Sequence, residues 1–514
     1  MKKIAEGDLL RRIRLNRKRL SAKMYRYPDI FNKKYSASWP GDWEGRCILS
    51  LTSLYFALSG YDKDQESILN QLDEIISHLK EYINEDGYFG NIVNDEYLDE
   101  QQVSGNSWYL RGLIEYYQIS RSDEILSLIK SVVNKFIYKI AKFYEHYPIS
   151  TREIGGVGGH IEGVIRDGWL TSSDVGCAFI MLDAMSEVYY LLRDDKLKEI
   201  LIKVIDKFIN LDFINLKCQT HATLSCARGV LTFYEATKEE KYLNYAIDIF
   251  KKYINYGMTL DYSNINWFNR KDTWTEPCCI VDSFILTSKF YQITKDDKYL
   301  LLLNRIYLNS FRMAQRNNGG AGCNTCLIDN NDSIKCYLYE AFFCCTMRLG
   351  EGLRFVKKYS SFNIDNELLV SILEDMKIYG NNQEEISIKG DIYNKEKVRI
   401  SFKNIKNNLR FAMYLPEKVG FSCSNKGLIR EGDKLIINVD KDTNLNIKFT
   451  LNTHIENNLY FVGDMLLAKR NLELDEKCFN IDNERYYFLI DYSKLKNKKE
   501  TLKVSQTLWR KLIF

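Results

Sequence analysis

A short pattern returns along the first three hundred residues, and it restricts the chain to stacked pairs of helices. Phe233-Tyr234-Glu235-Ala236-Thr237-Lys238-Glu239-Glu240-Lys241-Tyr242-Leu243 recurs as Phe290-Tyr291-Gln292-Ile293-Thr294-Lys295-Asp296-Asp297-Lys298-Tyr299-Leu300. Looser copies begin at Tyr116-Tyr117 and at Tyr189-Tyr190. Each copy reads as the end of an apolar helix, a polar turn whose acids can cap the next helix, and an amphipathic helix after it. One such hairpin cannot bury its own apolar faces, so neighbours must stack on it.

The second helices carry apolar residues at helical spacing on one side only, as at Leu126, Ile129, Val133 and Ile137, which makes them an outer layer. The preceding helices are expected around 43–58, 102–118, 172–192, 221–236, 277–293 and 337–357. They are more apolar and start in loops rich in Gly, Trp, Asn and His. Six inner helices with irregular repeat spacing and long loops fit a closed (α/α)6 toroid better than an open solenoid. From about residue 361 the texture changes to apolar-polar alternation, at Glu385–Lys389, Val398–Phe402, Leu409–Leu415, Lys434–Val439, Asn446–Thr450 and Tyr486–Ile490. At 514 residues the chain exceeds the ~250–300 of a single core. The expected class is α+β multidomain, a toroid over 1–360 followed by an accessory β-sandwich over 361–514.

Lys and Arg number 72 against 68 Asp and Glu, a balance that predicts no nucleic-acid partner. The basic segment Arg11–Arg19 reads as a solvated helix. The N-terminus lacks the apolar run of a signal peptide, and no stretch reaches the ~18–20 apolar residues of a membrane span. Thirteen cysteines in close pairs then read as thiols of a cytoplasmic protein rather than as a disulfide framework. Assembly is open, a homodimer included.

Cys344 and Cys345 are adjacent, and neighbouring cysteines do not readily bond to each other because their side chains diverge. Upstream stands Glu276-Pro277-Cys278-Cys279. Three thiolates and a carboxylate make a four-ligand set that suits Zn²⁺.

Thr275-Glu276-Pro277-Cys278 with Ile280-Val281-Asp282, and Cys344-Cys345-Thr346, on a toroid with a trailing sandwich, resemble glycoside hydrolase family 127, the β-L-arabinofuranosidases and their relatives. The resemblance implies that Glu276, Cys278, Cys344 and Cys345 ligate zinc and that Cys344 is the nucleophile of a retaining glycosidase. Zinc lowers a thiol's pKa, so the chemistry is self-consistent. The family's general acid is a Glu upstream of the Glu-x-Cys motif. At the matching spacing this chain has Leu260, so the adjacent Asp261 becomes the expected acid, with Asp272 and Glu340 as further candidates.

Candidate substrate contacts gather at inner-helix starts. His221 resembles the family's sugar-contacting His, with a helix-capping or core role as its alternative. Asp42, Trp43 and Glu44 combine a flat ring with two carboxylates, and Asn106 lies in the similar Gly105-Asn106-Ser107-Trp108. The glycine-rich 155–159 reads as a mouth loop that brings His160 and Glu162 to the substrate, since it lacks phosphate-loop spacing. Trp274 joins these contacts. Cys323-Asn324-Thr325-Cys326 lacks a second CxxC; either of its cysteines can reach the ligand shell from this loop, and Cys326 is assigned the place in or next to it. Two other readings stay open: a carbohydrate-binding relative that keeps the zinc as a structural staple, and a hydrolase or lyase in which a carboxylate pair such as Asp42 and Glu44 does the chemistry.

Overall fold

The computed structural model describes residues 1–32, 38–150, 152, 161–270, 272–328, 333–381, 383–472, 474 and 476–508. Six inner helices, Asp42–Ala57, Glu100–Ser120, Met181–Leu192, Thr220–Thr237, Pro277–Thr294 and Cys345–Tyr359, each pack on the next, and the last packs on the first. The ring is closed. Five outer helices follow their inner partners: Asp62–Ser77, Asp123–Val132, Asp195–Ile209, Glu240–Tyr256 and Asp297–Ile306. The sixth is Gly7–Leu20, which packs on Cys345–Tyr359.

That last placement corrects the reading of Arg11–Arg19 as solvated. Leu9, Ile13 and Leu20 are in the core, and Arg12 and Arg17 are buried with them. Arg12 is held by Asp8 at 2.7 Å and by Asp491, and Arg17 donates to Gln71 at 2.7 Å. A run of cations lies on a packed helix because its arginines have buried partners.

The repeat is a linker device. Arg121, Arg193, Lys238 and Lys295 each sit one residue beyond an inner helix with φ between 49° and 62°, the left-handed region. The next residues cap the outer helices: Ser122 accepts from the Ile125 N–H, Asp194 from Leu197 and Asp296 from Lys298. The first two inner helices touch backbone to backbone. A Cβ on Gly45 would lie 2.2 Å from the Tyr109 nitrogen, and one on Gly112 2.6 Å from the Gly45 oxygen.

Beyond the toroid, a six-stranded sheet (in order Lys2–Ala5, Met376–Tyr379, Glu385–Asp391, Lys397–Lys403, Thr443–Leu451, Val419–Cys423) faces a five-stranded one (Ile429–Glu431, Lys434–Val439, Leu409–Tyr414, Glu367–Val370, Ser361–Ile364). Ile378, Ile388 and Ile400 of the first share a core with Val370, Phe411 and Ile437 of the second. Pairing crosses residue 360 twice. Lys2–Ala5 is antiparallel to Met376–Tyr379, and Ser333–Leu338 pairs with Ser505–Leu508 in a third sheet that ends at Cys323–Asn324. Residues 337–338, expected to open the last inner helix, are therefore strand, and that helix starts at Cys345. Among the described residues no helix is long and apolar enough to cross a membrane.

Candidate metal-thiolate site

Two helix starts converge on one point of the barrel mouth. Glu276 is the N-cap of Pro277–Thr294, extended at φ −121° and ψ 112°, and Pro277 pre-sets the first turn. Cys344 is the N-cap of Cys345–Tyr359 at φ −145° and ψ −67°. Because Cys344 is outside the helix and Cys345 inside it, the adjacent side chains turn toward the same place. Donor atoms of Glu276, Cys278, Cys344 and Cys345 all lie within 4.8 Å of one another. The Cys345 sulfur is 3.4 Å from both Cys278 and Cys344. Tetrahedral Zn–S bonds of ~2.3 Å imply sulfur separations of about 3.8 Å, close to these distances.

The donor set fits a dication on chemical grounds too. One Glu276 oxygen is buried without a hydrogen-bond partner. Burial, then the charge of Asp174, pushes the Glu276 carboxyl up to about 8, and burial pushes the Cys278 and Cys345 thiols well above their ordinary value. For Cys344 the Cys278 bond pulls down, while Cys345 and burial prevail upward. Protein alone keeps this set protonated, whereas a bound cation favours thiolate and carboxylate. Both helix N-termini favour the same negative charge.

Around the thiols stands a polar shell that sequence reading missed in part. Arg46 reaches to 3.8 Å from the Cys278 sulfur, is held by Asp42 at 2.7 Å, and lies 3.8 Å over the Trp108 ring. Trp108 stacks on His221 at 5.7 Å and 16°. His221 Nδ1 donates to Asp282 at 2.9 Å, and burial, outweighing Asp282, brings its pKa down to about 4. The ring is therefore neutral near pH 7, with Nε2 as an acceptor. Both His221 Nε2 and Trp108 Nε1 are buried without a hydrogen-bond partner. Deeper in the barrel, Asp183, Asp282 and Glu351 alternate with Arg111, Arg228 and Arg348, as in Arg228–Asp282 at 2.6 Å and Arg228–Glu351 at 2.8 Å. Burial would raise the Asp282 carboxyl, but Arg348, Arg228 and His221 hold it far below the usual range. This ion network fixes His221.

Other expected residues are placed differently. Asn106 is buried, and its amide is spent on the backbone of Phe89 and Gln102, which pins the 84–91 turn instead of meeting a sugar. Trp43 is buried against Tyr25 at 5.2 Å and 8°, behind the site rather than as an open platform. Glu44 is buried on the same helix turn, and Asp42 serves Arg46. Asp261 is 1% exposed, and its oxygens accept from Thr259 at 2.5 Å and Ser263 at 2.9 Å within its own turn. No hydrogen bond or ion pair among the described residues joins it to the thiols. Asp272 pairs with Arg270, and Glu340 with Arg19 at 2.7 Å and Thr346 at 3.0 Å. Trp274 stands beside the cluster, stacked on Tyr337 at 4.9 Å. His160 lies outside the described residues, as does the Glu162 side chain. Of the CxxC pair, Cys326 donates to the Asn264 carbonyl at 3.3 Å, while Cys323, a free thiol, is in hydrogen-bonding contact with the free thiol of Cys345, so the inner position belongs to Cys323.

No protein-family profile and no curated protein matches the sequence. Solved structures do match the fold. A GH127 β-L-arabinofuranosidase from Geobacillus stearothermophilus T6 superposes with a TM-score of 0.65 at 9% identity, over 99% of this chain and 100% of that one. A second GH127 β-arabinofuranosidase gives 0.61 at 11% identity, over 97% and 91%. A structure described as a glycoside hydrolase gives 0.61 at 10% identity, over 94% and 91%. The chain shares its fold with these enzymes along nearly its whole length.

Proposed function

We propose that this chain is a retaining glycoside hydrolase in which the Cys344 thiolate attacks the anomeric carbon of a β-L-arabinofuranoside or a similar sugar. Glu276, Cys278, Cys344 and Cys345 would hold Zn²⁺. One observation carries the reading: three thiols and a carboxylate with an unpartnered oxygen converge at the mouth of a toroid shared with GH127 enzymes. When bound, the ion supplies the charge that keeps the Cys344 sulfur a thiolate near neutral pH.

The chain's own residues do the rest. His221, oriented by Asp282, offers Nε2 to a sugar hydroxyl, and Trp108 offers its N–H. Buried polar groups rarely lack partners, so two adjacent ones suit a polyol ligand. Attack by Cys344 expels the glycosidic oxygen and leaves a thioglycosyl group, which water displaces with net retention.

Metal analysis of the purified protein, with turnover of aryl β-L-arabinofuranosides by wild type and Cys344→Ser, tests this. The expected result is one zinc per chain and turnover that the serine variant loses. Protein free of zinc sinks the metal assignment, and full activity in Cys344→Ser sinks the nucleophile. Bound zinc without turnover on any aryl pentoside favours a carbohydrate-binding protein with a structural metal.

A further inference from the structure

A thiolate nucleophile alone does not release an unactivated sugar, because the departing oxygen needs a proton. We propose that Asp174 supplies it, at the inner end of an aromatic wall that receives the leaving portion of the substrate. This inference rests on the reading of Cys344 as nucleophile.

Asp174 lies between the strand Trp169–Ser172 and the turn Cys177–Ile180 that leads into the third inner helix, on the mouth that carries His221 and Glu276. Its backbone is fixed. Its N–H donates to Ser172 Oγ at 3.1 Å, its carbonyl accepts from Cys177 at 3.1 Å, and the Val175 carbonyl accepts from Gln219 at 3.0 Å. One carboxylate oxygen accepts from Trp267 Nε1 at 3.0 Å. The other has no partner among the described residues, although Asp174 is only 6% exposed. No other carboxylate weighs as heavily on Glu276, so Asp174 is near the ligand set without being part of it.

The wall runs outward from that carboxylate. Trp267 meets Trp274 edge to face at 4.8 Å, and Trp274 stacks flat on Tyr337 at 4.9 Å and 7°. Tyr337 is 51% exposed. Contacting rings thus connect the exposed Tyr337 to the residue that holds Asp174, and aromatic side chains with polar edges suit sugar or aryl groups. The same segment continues from Trp274 through Thr275, which exchanges hydrogen bonds with Asn324, to the ligand Glu276. The aromatic residues and the expected ligand Glu276 therefore come from one strip of chain.

The charged groups facing Asp174 are Glu100, Arg152, Arg270 and Glu276. Burial raises its carboxyl to about 6; the Trp267 bond, Arg270 and Arg152 oppose this, and Glu100 adds to it. In the first step the Cys344 sulfur bonds to the anomeric carbon, the C–O electrons pass to the departing oxygen, and that oxygen takes the Asp174 proton. In the second, the Asp174 carboxylate takes a proton from water as the water oxygen bonds to the carbon, and the C–S electrons return to sulfur. Both groups end as they began.

The test compares zinc-loaded wild type with Asp174→Asn on a 2,4-dinitrophenyl and a methyl β-L-arabinofuranoside, with and without azide. We expect kcat/KM on the methyl glycoside to fall by ~10²–10⁴-fold, a much smaller loss with the dinitrophenyl leaving group, and azide rescue with a glycosyl azide as product. Equal losses on both substrates without azide rescue, or no loss, overturn the assignment while leaving Cys344 in place. A wild type that turns over neither substrate overturns the nucleophile reading and this inference with it. Asp174→Glu, assayed alongside in case the Asn variant does not fold, should keep partial turnover with a displaced basic limb in its pH profile. An unchanged rate and limb in Asp174→Glu count against Asp174.

Discussion

Arg46 places a guanidinium 3.8 Å from the Cys278 sulfur, and charge arithmetic explains why a cation belongs there. A dication with three thiolates and one carboxylate carries a formal charge of about −2. Burying that without compensation is costly. Burial disfavours the Arg46 charge, yet Asp42, Cys278 and Cys344 together hold it more strongly protonated than usual. Such neighbours of a metal site commonly contribute 10–100-fold in affinity, so Arg46→Met should weaken zinc binding by about that factor in a chelator competition. Equal affinity in the variant would mean that the helix N-termini carry the compensation instead. His221 and Trp108 owe their orientation to the same neighbourhood: Arg46 covers one ring, and that ring covers the other.

At the scale of the helices, two features of the repeat are open to measurement. Lys238 and its counterparts adopt left-handed backbone angles that an L side chain disfavours by roughly 1 kcal/mol. Lys238→Gly should therefore raise stability by about 0.5–1 kcal/mol in denaturant unfolding, and a destabilised variant would mean that the lysine side chain outweighs its backbone strain. The opposite outcome is expected at Gly45, where a Cβ would meet Tyr109 backbone at 2.2 Å. Gly45→Ala has to push apart two inner helices, at a cost of about 3 kcal/mol, visible as a lower melting temperature. The same displacement moves Asp42, Arg46 and Trp108, so zinc affinity should drop with it.

Over the whole molecule, the helical and sheet regions meet around a cavity of about 600 Å³ lined in part by Asp8, Arg312, Tyr307, Glu374 and Lys494. Burial raises the Glu374 carboxyl from 4.5 to about 7; Arg312 opposes the shift, Asp8 adds to it, and Tyr307 donates to the carboxylate at 2.6 Å. Below pH 4.5 the group is protonated in folded and unfolded chains alike. As pH rises from there toward 7, the unfolded chain ionises first, so stability from this group declines across that window and stays lost above it. The span corresponds to ~3 kcal/mol. Glu374→Gln should flatten that part of the stability profile, and parallel profiles for variant and wild type would contradict the shift.

Local chemistry made the donor cluster and the architecture legible. Adjacent cysteines have few uses besides a metal, Glu-Pro-Cys opens a helix with two donors in its first turn, and periodic apolar residues announce inner and outer helices whatever their neighbours. Strands such as Lys397–Lys403 were readable for the same reason, since alternation is a property of a few consecutive residues. Legibility ended where a residue's role depends on distant partners. Arg12 looks like a surface cation until Asp491 arrives from the far end of the chain, and Asn106 looks like a sugar contact until its amide meets the Phe89 backbone. Arg46 and Asp174 sit in unremarkable sequence and gain meaning only from the atoms that the closed ring brings to them, and in Gly105-Asn106-Ser107-Trp108 it is Trp108, not Asn106, that the ring sets beside His221. Helix periods and pairs of donor side chains are written in neighbouring residues, so the toroid, the sandwich and the four clustered donors Glu276, Cys278, Cys344 and Cys345 could be read before any contact was known. Charge compensation, ring orientation and the placing of carboxylates near the thiols depend on contacts across the barrel, which come into being only when the ring closes.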